Sequence, residues 1–351
     1  HGLAFAPHGK TSMAPALFRR QLDAGAWGIT VATGQQAKVA RAAGVSRVML
    51  AHQVLDAAAL GWVAAELRSD PGFEFACFVD SPEGVAAAAE AGRAHGLSLG
   101  FPLILDVGFP GGRTGVRTLA QARELAELID VTDGVRLVGV NGYEGGLPTV
   151  AHVQEFFATV RAVVDDLAAA GLLPAGPIVT AGGSAYFDIV AAELGGEWAR
   201  RRGALVILRS GAYISHDDGV YARKTAYRRM ADQGGLLPAL QLWAQVVSAP
   251  ETGLALVGMG KRDAPYDEGL PVPLMWRRAG SDQQVDVRGR LTVSKLDDQH
   301  GYLVTAEGYE PRPGDLVCFG ISHPCTAFDK WRAVPIVDAD DVITEVVRTY
   351  F

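Results

Sequence analysis

Pro177-Ile178-Val179-Thr180-Ala181-Gly182-Gly183-Ser184 is the stretch that decides the fold. A short β-branched run breaks into two glycines, and an Ala/Leu-rich segment over 185–194 then begins just past the serine. That is a strand, a tight turn and the start of a helix. Working outward, the same grammar recurs. Strand-like runs lie at 3–6, 28–32, 47–51, 74–79, 103–107, 136–140 and 205–208, with amphipathic helical segments at 12–24, 34–43, 57–68, 82–95, 119–129 and 150–170 between them. Strands separated by helices of this length pair in parallel through right-handed crossovers, and eight such units close a (β/α)8 TIM-type barrel. An open doubly wound sheet is the alternative. After about residue 232 the alternation stops: segments at 254–258, 284–296, 302–306, 315–319 and 341–349 are β-branched or alternating, with Gly and Pro between them. The expected organisation is a barrel over 1–231 followed by a mainly-β domain over 232–351.

Composition limits what such a chain can do. Its 351 residues carry 32 Lys+Arg against 39 Asp+Glu, a formal charge of −7, so neither nucleic acid nor an anionic membrane is expected as a partner. With 49% apolar residues, 20% charged residues and 42 glycines, disorder and collagen are excluded. No apolar run approaches the ~18 residues needed to cross a bilayer, and no signal-peptide pattern opens the chain, so a cytoplasmic location is expected. Cys77, Cys318 and Cys325 form no CxxC pair, which argues for a reducing compartment and against a disulfide framework. His1 is not an initiator Met, so further residues upstream are expected.

Barrel chemistry sits where the loops after the strands converge. The first of these loops is Pro7-His8-Gly9-Lys10-Thr11, which brings Lys10 to the rim; the third brings Gln53, the fifth Arg113 and the sixth Tyr143. After the seventh and eighth strands come Thr180, Gly182, Gly183 and Ser184, then Arg209-Ser210-Gly211-Ala212-Tyr213. Small residues there let backbone N–H groups approach an anion, and barrels commonly hold a phosphate at these two loops. A lysine, an arginine, a tyrosine and a phosphate cradle on one face point to a phosphorylated carbonyl cofactor held as a Schiff base. Each residue alone is an ordinary loop residue; the reading rests on their convergence. In the β domain, His323-Pro324-Cys325 places imidazole and thiolate at i and i+2 of an extended segment, on one side, where one borderline-soft ion such as Zn²⁺ can touch both. Two ligands are too few for a closed structural site. Asp297-Asp298-Gln299-His300-Gly301 reads as a solvated hairpin turn.

Pro7-His8-Gly9-Lys10-Thr11-Ser12-Met13-Ala14-Pro15, Gly25-Ala26-Trp27-Gly28-Ile29-Thr30, Thr180-Ala181-Gly182-Gly183-Ser184 and His323-Pro324-Cys325 together resemble the fold type III pyridoxal-phosphate enzymes that comprise D-serine dehydratases (deaminases) and D-threonine aldolases. The resemblance implies an alanine-racemase-like barrel with a β domain, a homodimer, pyridoxal 5'-phosphate and a divalent metal, Zn²⁺ first and Mn²⁺ among the others. By the same resemblance Lys10 is the Schiff-base lysine, and Arg113 faces the pyridine nitrogen. Gly182, Gly183, Ser184, Gly211 and Tyr213 neighbour the phosphate and ring, and His323 and Cys325 are the metal ligands. Members usually begin with a further strand and helix, and His52 stands where asparagine is expected. Aldolases of this kind carry HxD at the metal position, so Cys325 favours the dehydratase branch. The implied activity converts a D-serine-like β-hydroxy amino acid to a keto acid and ammonia. Retro-aldol cleavage to glycine and an aldehyde is the alternative lyase reaction, and an amino-acid racemase is the alternative of another class.

Overall fold

A computed structural model describes residues 2–351. Eight strands run parallel in one sheet: β1 (Ala4–Phe5), β2 (Ile29–Val31), β3 (Arg47–Gln53), β4 (Glu74–Val79), β5 (Phe101–Val107), β6 (Val135–Gly142), β7 (Ile178–Ala181) and β8 (Leu205–Leu208). Their order is β1-β8-β7-β6-β5-β4-β3-β2, which leaves β1 and β2 at the two ends. Those ends meet: His8 and Thr30 form a parallel bridge, and the N–H groups of Trp27 and Thr30 donate to the carbonyls of Phe5 and Pro7 at 2.7 and 2.9 Å. The sheet thus closes into the expected barrel, and the open doubly wound sheet is set aside. Ala6, Met49, Ala76, Phe78, Ile104, Val138 and Ile207 pack together as its filling.

The helices are α1 (Pro15–Asp23), α2 (Gly34–Ala42), α3 (Ala57–Ser69), α4 (Pro82–Ala94), α5 (Leu119–Val131), α6 (Val150–Ala169), α7 (Phe187–Leu194) and α8 (Gly196–Arg202). Five begin where a short polar side chain takes the first free amide: Thr33, Asp56, Ser81, Thr118 and Thr149 each accept from the N–H three residues on. Such caps contribute about 1 kcal/mol apiece. The periodicity did not predict α8, and α7 starts at Phe187, after a turn, not directly at the residue following Ser184. Gly92 in α4 lies so close to the turn before β6 that a Cβ there would come within 2.0 Å of the Gly134 carbonyl oxygen.

The chain divides into two compact units. One runs to Lys10 and resumes over Pro15–Ser210; the other combines Thr11–Ala14 with Gly211–Phe351. Residues 211–231, which the sequence assigns to the barrel, group with the second unit for a visible reason. Asp218 N–H donates to the Ile321 carbonyl at 3.0 Å, Val220 N–H to Ser322 Oγ at 3.2 Å, and His323 N–H to Asp217 Oδ2 at 2.8 Å. The second unit contains α9 (Val220–Lys224) and strands β9 (Gln241–Glu251), β10 (Leu254–Val257), β11 (Val272–Arg277), β12 (Gln284–Asp286), β13 (Leu291–Leu296), β14 (Gly301–Thr305), β15 (Leu316–Gly320), β16 (Ala333–Val337) and β17 (Ile343–Arg348). Seven of them form an antiparallel sheet in the order β12-β11-β15-β9-β10-β14-β13, and β16 with β17 makes a separate hairpin. Val246, Val257, Trp276, Leu303, Val317 and Phe319 lie in the core of this unit. Among the described residues, no helix is long and apolar enough to cross a membrane.

Candidate active site

Buried polar side chains gather at the C-terminal ends of the barrel strands. Asp106, near the end of β5, accepts from Asn141 Nδ2 at 2.6 Å on one oxygen, and from Gln53 Nε2 and Thr114 Oγ1 at 2.8 and 2.7 Å on the other. Asn141 in turn accepts from Arg209 Nη2 at 2.6 Å, while Arg209 Nε donates to Thr180 Oγ1 at 2.9 Å. The ends of β3, β5, β6, β7 and β8 are thereby tied into one network. Burial lowers the Arg209 pKa to about 10, against the pull of Glu144 and Asp106, so the guanidinium stays charged at neutral pH. Burial also raises the Asp106 carboxyl, opposed by its three donors. Gln53 and Thr180 are therefore bracing residues of this network; Asp106, Asn141 and Arg209 were not found from the sequence.

The glycine turn after β7 is also occupied. Glu144 is 1% exposed and accepts from Gly182 N–H at 3.1 Å and Gly183 N–H at 2.5 Å. Burial raises its pKa, opposed by these donors and by Arg209. Gly183 requires glycine, since it combines φ of +83° with a would-be contact of 2.1 Å to Leu208, and a Cβ on Gly182 would press on the Tyr143 ring at 2.9 Å. Ser210 Oγ donates to the Gly182 carbonyl at 3.4 Å, which joins the loops after β7 and β8, and Ser184 sits half-buried beside them. The two glycine amides, expected to face an anion, are thus committed to Glu144.

Lys10 lies in a single 3-10 turn (Gly9–Thr11) after β1 and is half-buried. Arg113 and Tyr143 come together, with the guanidinium carbon 4.1 Å from the ring centroid. His8 shows where the charges converge. Its pKa is well below the ordinary imidazole value because of burial first, and then because Lys10, Arg209 and Arg113 all bear on it. Its Nδ1 is a buried atom with no hydrogen-bond partner. Three cations around a neutral imidazole with an unsatisfied atom fit an anionic cofactor such as pyridoxal phosphate.

Gly211 and Tyr213 belong to the second unit, at the 3-10 turn Ala212–Ile214. So do His323 and Cys325. The segment is not the extended one expected: Pro324–Thr326 form a 3-10 turn, and His323 before it adopts φ of +77°, a left-handed conformation that a histidine takes only when held. Asp217, fully buried, does the holding: Oδ2 accepts from His323 N–H at 2.8 Å, and Oδ1 accepts from Gly219, Tyr221 and Ala222 N–H at 3.0, 2.8 and 3.1 Å. The imidazole Nδ1 lies 2.6 Å from Asp267 Oδ2, and the Cys325 Sγ lies 3.4 Å from Thr11 Oγ1. Hydrogen bonding to Cys325, against partial burial and with help from Asp267, raises the His323 pKa to about 9. An imidazole and a cysteine sulfur brought together in this way are donors that a borderline-soft divalent ion takes. Among the described residues no group of three or more His, Cys, Asp or Glu side chains surrounds one point, so no third such side chain joins His323 and Cys325. The 297–301 segment is the expected turn, with Asp297 and Asp298 paired to Lys295 and Arg262.

The chain is 24% identical to a D-threonine aldolase of Arthrobacter sp. over 99% of its own length and 84% of that protein's, and 28% identical to the D-threo-3-hydroxyaspartate dehydratase of Delftia sp. (strain HT23) over 88% and 78%. A variant of a D-threo-3-hydroxyaspartate dehydratase has been solved in a metal-free form (TM-score 0.73, 22% identity, 99% of this chain and 90% of that one). The crystal structure of D-threonine aldolase from Filomicrobium marinum superposes with a TM-score of 0.80 at 24% identity, covering 99% of this chain and 88% of that one. Residues 239–337 match the putative serine dehydratase domain family, and residues 8–201, more than half of the chain, match the alanine racemase N-terminal domain family. The chain accordingly belongs to the fold type III pyridoxal-phosphate enzymes, an alanine-racemase-like N-terminal domain followed by a D-serine-dehydratase-type domain.

Proposed function

We propose that this enzyme is a pyridoxal-phosphate- and metal-dependent lyase that dehydrates D-β-hydroxy amino acids of the D-serine type to a keto acid and ammonia, and that it works as a homodimer. The observation that carries the reading is the His323–Cys325 pair, built into a domain of the serine dehydratase type. Lys10 would hold the cofactor, with Tyr143 and Arg113 as the paired rim residues, Ser184, Gly211 and Tyr213 as small or aromatic neighbours, and Arg209 as the buried cation. When bound, the cofactor supplies an electron sink that acidifies Cα–H of the substrate, and the metal supplies a Lewis acid for departure of the β-hydroxyl. Lys10 Nζ takes the proton from Cα. Arg209 stays protonated throughout, because even its lowered pKa of about 10 lies above working pH. His8 stays neutral at neutral pH, and its Nδ1 is left without a protein partner. Asp106 and Glu144 keep the strand ends and the glycine turn fixed while protons move elsewhere.

A retro-aldol reading draws on the two D-threonine aldolases to which the chain is similar. A product assay on D-serine, D-threonine and D-threo-3-hydroxyaspartate separates the two. Keto acid with ammonia is expected, and glycine with an aldehyde as the main product overturns the dehydratase proposal. Borohydride reduction of the loaded protein should fix the cofactor to the peptide containing Lys10; modification of any other lysine overturns that assignment.

A further inference from the structure

We propose that Asp267 is a positioning residue that fixes the His323 imidazole in the tautomer and ring orientation in which Nε2, and not Nδ1, ligates the metal. The inference rests on the metal reading given above. Three observations carry it. First, Nδ1 of His323 is only 2.6 Å from Asp267 Oδ2, so that nitrogen is engaged in a short hydrogen bond and Nε2 is the one left for a metal. Second, Asp267 is itself clamped: its other oxygen accepts from Thr326 Oγ1 at 2.8 Å, one residue beyond Cys325. Both carboxylate oxygens of Asp267 are thereby engaged, Oδ1 by the Thr326 hydroxyl and Oδ2 by the imidazole, which holds the group in place to accept from Nδ1–H. Third, Asp267 stands behind the ring, not beside the pair as a further ligand, since no three ligating side chains surround one point among the described residues.

The need for such a residue follows from the ligand count. With only two protein ligands, a ring free to rotate about χ2 loses much of the affinity, because no third side chain fixes the metal's position. A carboxylate on the remote nitrogen fixes both the rotation and the tautomer and makes Nε2 a stronger donor; losing such a partner typically lowers metal affinity about 10- to 100-fold. Asp217 cannot do this, for it binds the His323 backbone and leaves the ring alone. The two carboxylates therefore act on different parts of one residue. Asp217 sets where His323 stands, and Asp267 sets which atom it presents.

Zn²⁺ binding to full-length protein, measured by competition with a chromophoric chelator, tests this. Asp267→Ala is expected to weaken Zn²⁺ binding by about 10- to 100-fold. Asp267→Asn, whose amide oxygen still accepts from Nδ1–H, should recover much of that loss. Equal affinity in wild type and Asp267→Ala overturns the inference while the metal assignment stands; a wild-type chain that binds no divalent metal overturns both. Should Asp267→Ala not fold, one-bond coupling in wild-type protein carrying ¹⁵N-histidine and ¹¹³Cd²⁺ decides: coupling to His323 Nε2 is expected, and coupling to Nδ1 refutes the proposal.

Discussion

Replacing Glu144 by alanine leaves two buried N–H groups, those of Gly182 and Gly183, with no acceptor. Each orphaned amide costs about 1–3 kcal/mol. Glu144→Ala should therefore lower the urea-unfolding free energy by about 2–6 kcal/mol, and Glu144→Gln, which keeps one acceptor oxygen, by less. The same residue leaves a mark on pH dependence. Because burial holds its folded-state pKa above the ordinary glutamate value, there is a window just above that value in which the unfolded chain has released the proton and the folded chain has not. Raising the pH through that window favours unfolding, until the folded carboxyl ionises as well. Wild type should thus lose stability relative to Glu144→Gln across the window and run parallel to it on either side, as read by denaturant midpoints at several pH values. The thiols differ just as sharply. Burial pushes Cys77 and Cys318 up to about 12, whereas Cys325 is only partly buried. Iodoacetamide on native protein should alkylate Cys325 alone, and Zn²⁺ should protect it; labelling unaffected by metal counts against ligation by Cys325.

At the scale of elements, α4 and the turn before β6 make a prediction that runs against helix propensity. Gly→Ala inside a helix ordinarily stabilises by about 1 kcal/mol. At Gly92 the new methyl would sit 2.0 Å from the Gly134 carbonyl oxygen and 3.0 Å from its carbon, both backbone atoms. Gly92→Ala should therefore destabilise by about 1–3 kcal/mol, as overpacking does, and a melting point at or above that of wild type would show that α4 shifts freely. The elements themselves were legible in the sequence because a closed parallel sheet must bury both faces of every strand, so Glu74–Val79 and Leu205–Leu208 stand out as short apolar runs with their bounds intact. The network inside the barrel was not. Asp106 sits within an apolar run, Asn141 and Thr180 at strand ends, where a polar residue reads as the first residue of a loop. The available signal was that a polar side chain at the end of a buried strand needs a partner. Lys10 and the His323–Cys325 pair were readable because each lies in a compact motif. Their supports were hidden by distance along the chain: Asp217 and Asp267 precede His323 by 106 and 56 residues.

For the whole molecule, the path of the chain matters as much as its sheets. The chain leaves the first unit after Lys10, re-enters at Pro15 and leaves again after Ser210. Met13 is fully buried, and its carbonyl accepts from Tyr350 N–H at 2.8 Å, next to the last residue of the sequence. A fragment of residues 211–351 lacks that side chain and that acceptor, together with the Thr11 hydroxyl beside Cys325. Loss of a buried methionine alone costs about 2–5 kcal/mol. The fragment should show a lowered or absent cooperative melting transition, and one that melts like the intact chain would show that residues 11–14 contribute nothing to it. Inheritance follows from the same four residues. A recombination crossover at 210/211 would deliver a foreign β unit onto resident Thr11–Ala14, residues selected to complete a different one. A chimera joined at 210/211 alone should therefore melt below one that exchanges residues 11–14 as well. Working chimeras in this lineage should carry a second seam, which begins at the residue next to Lys10.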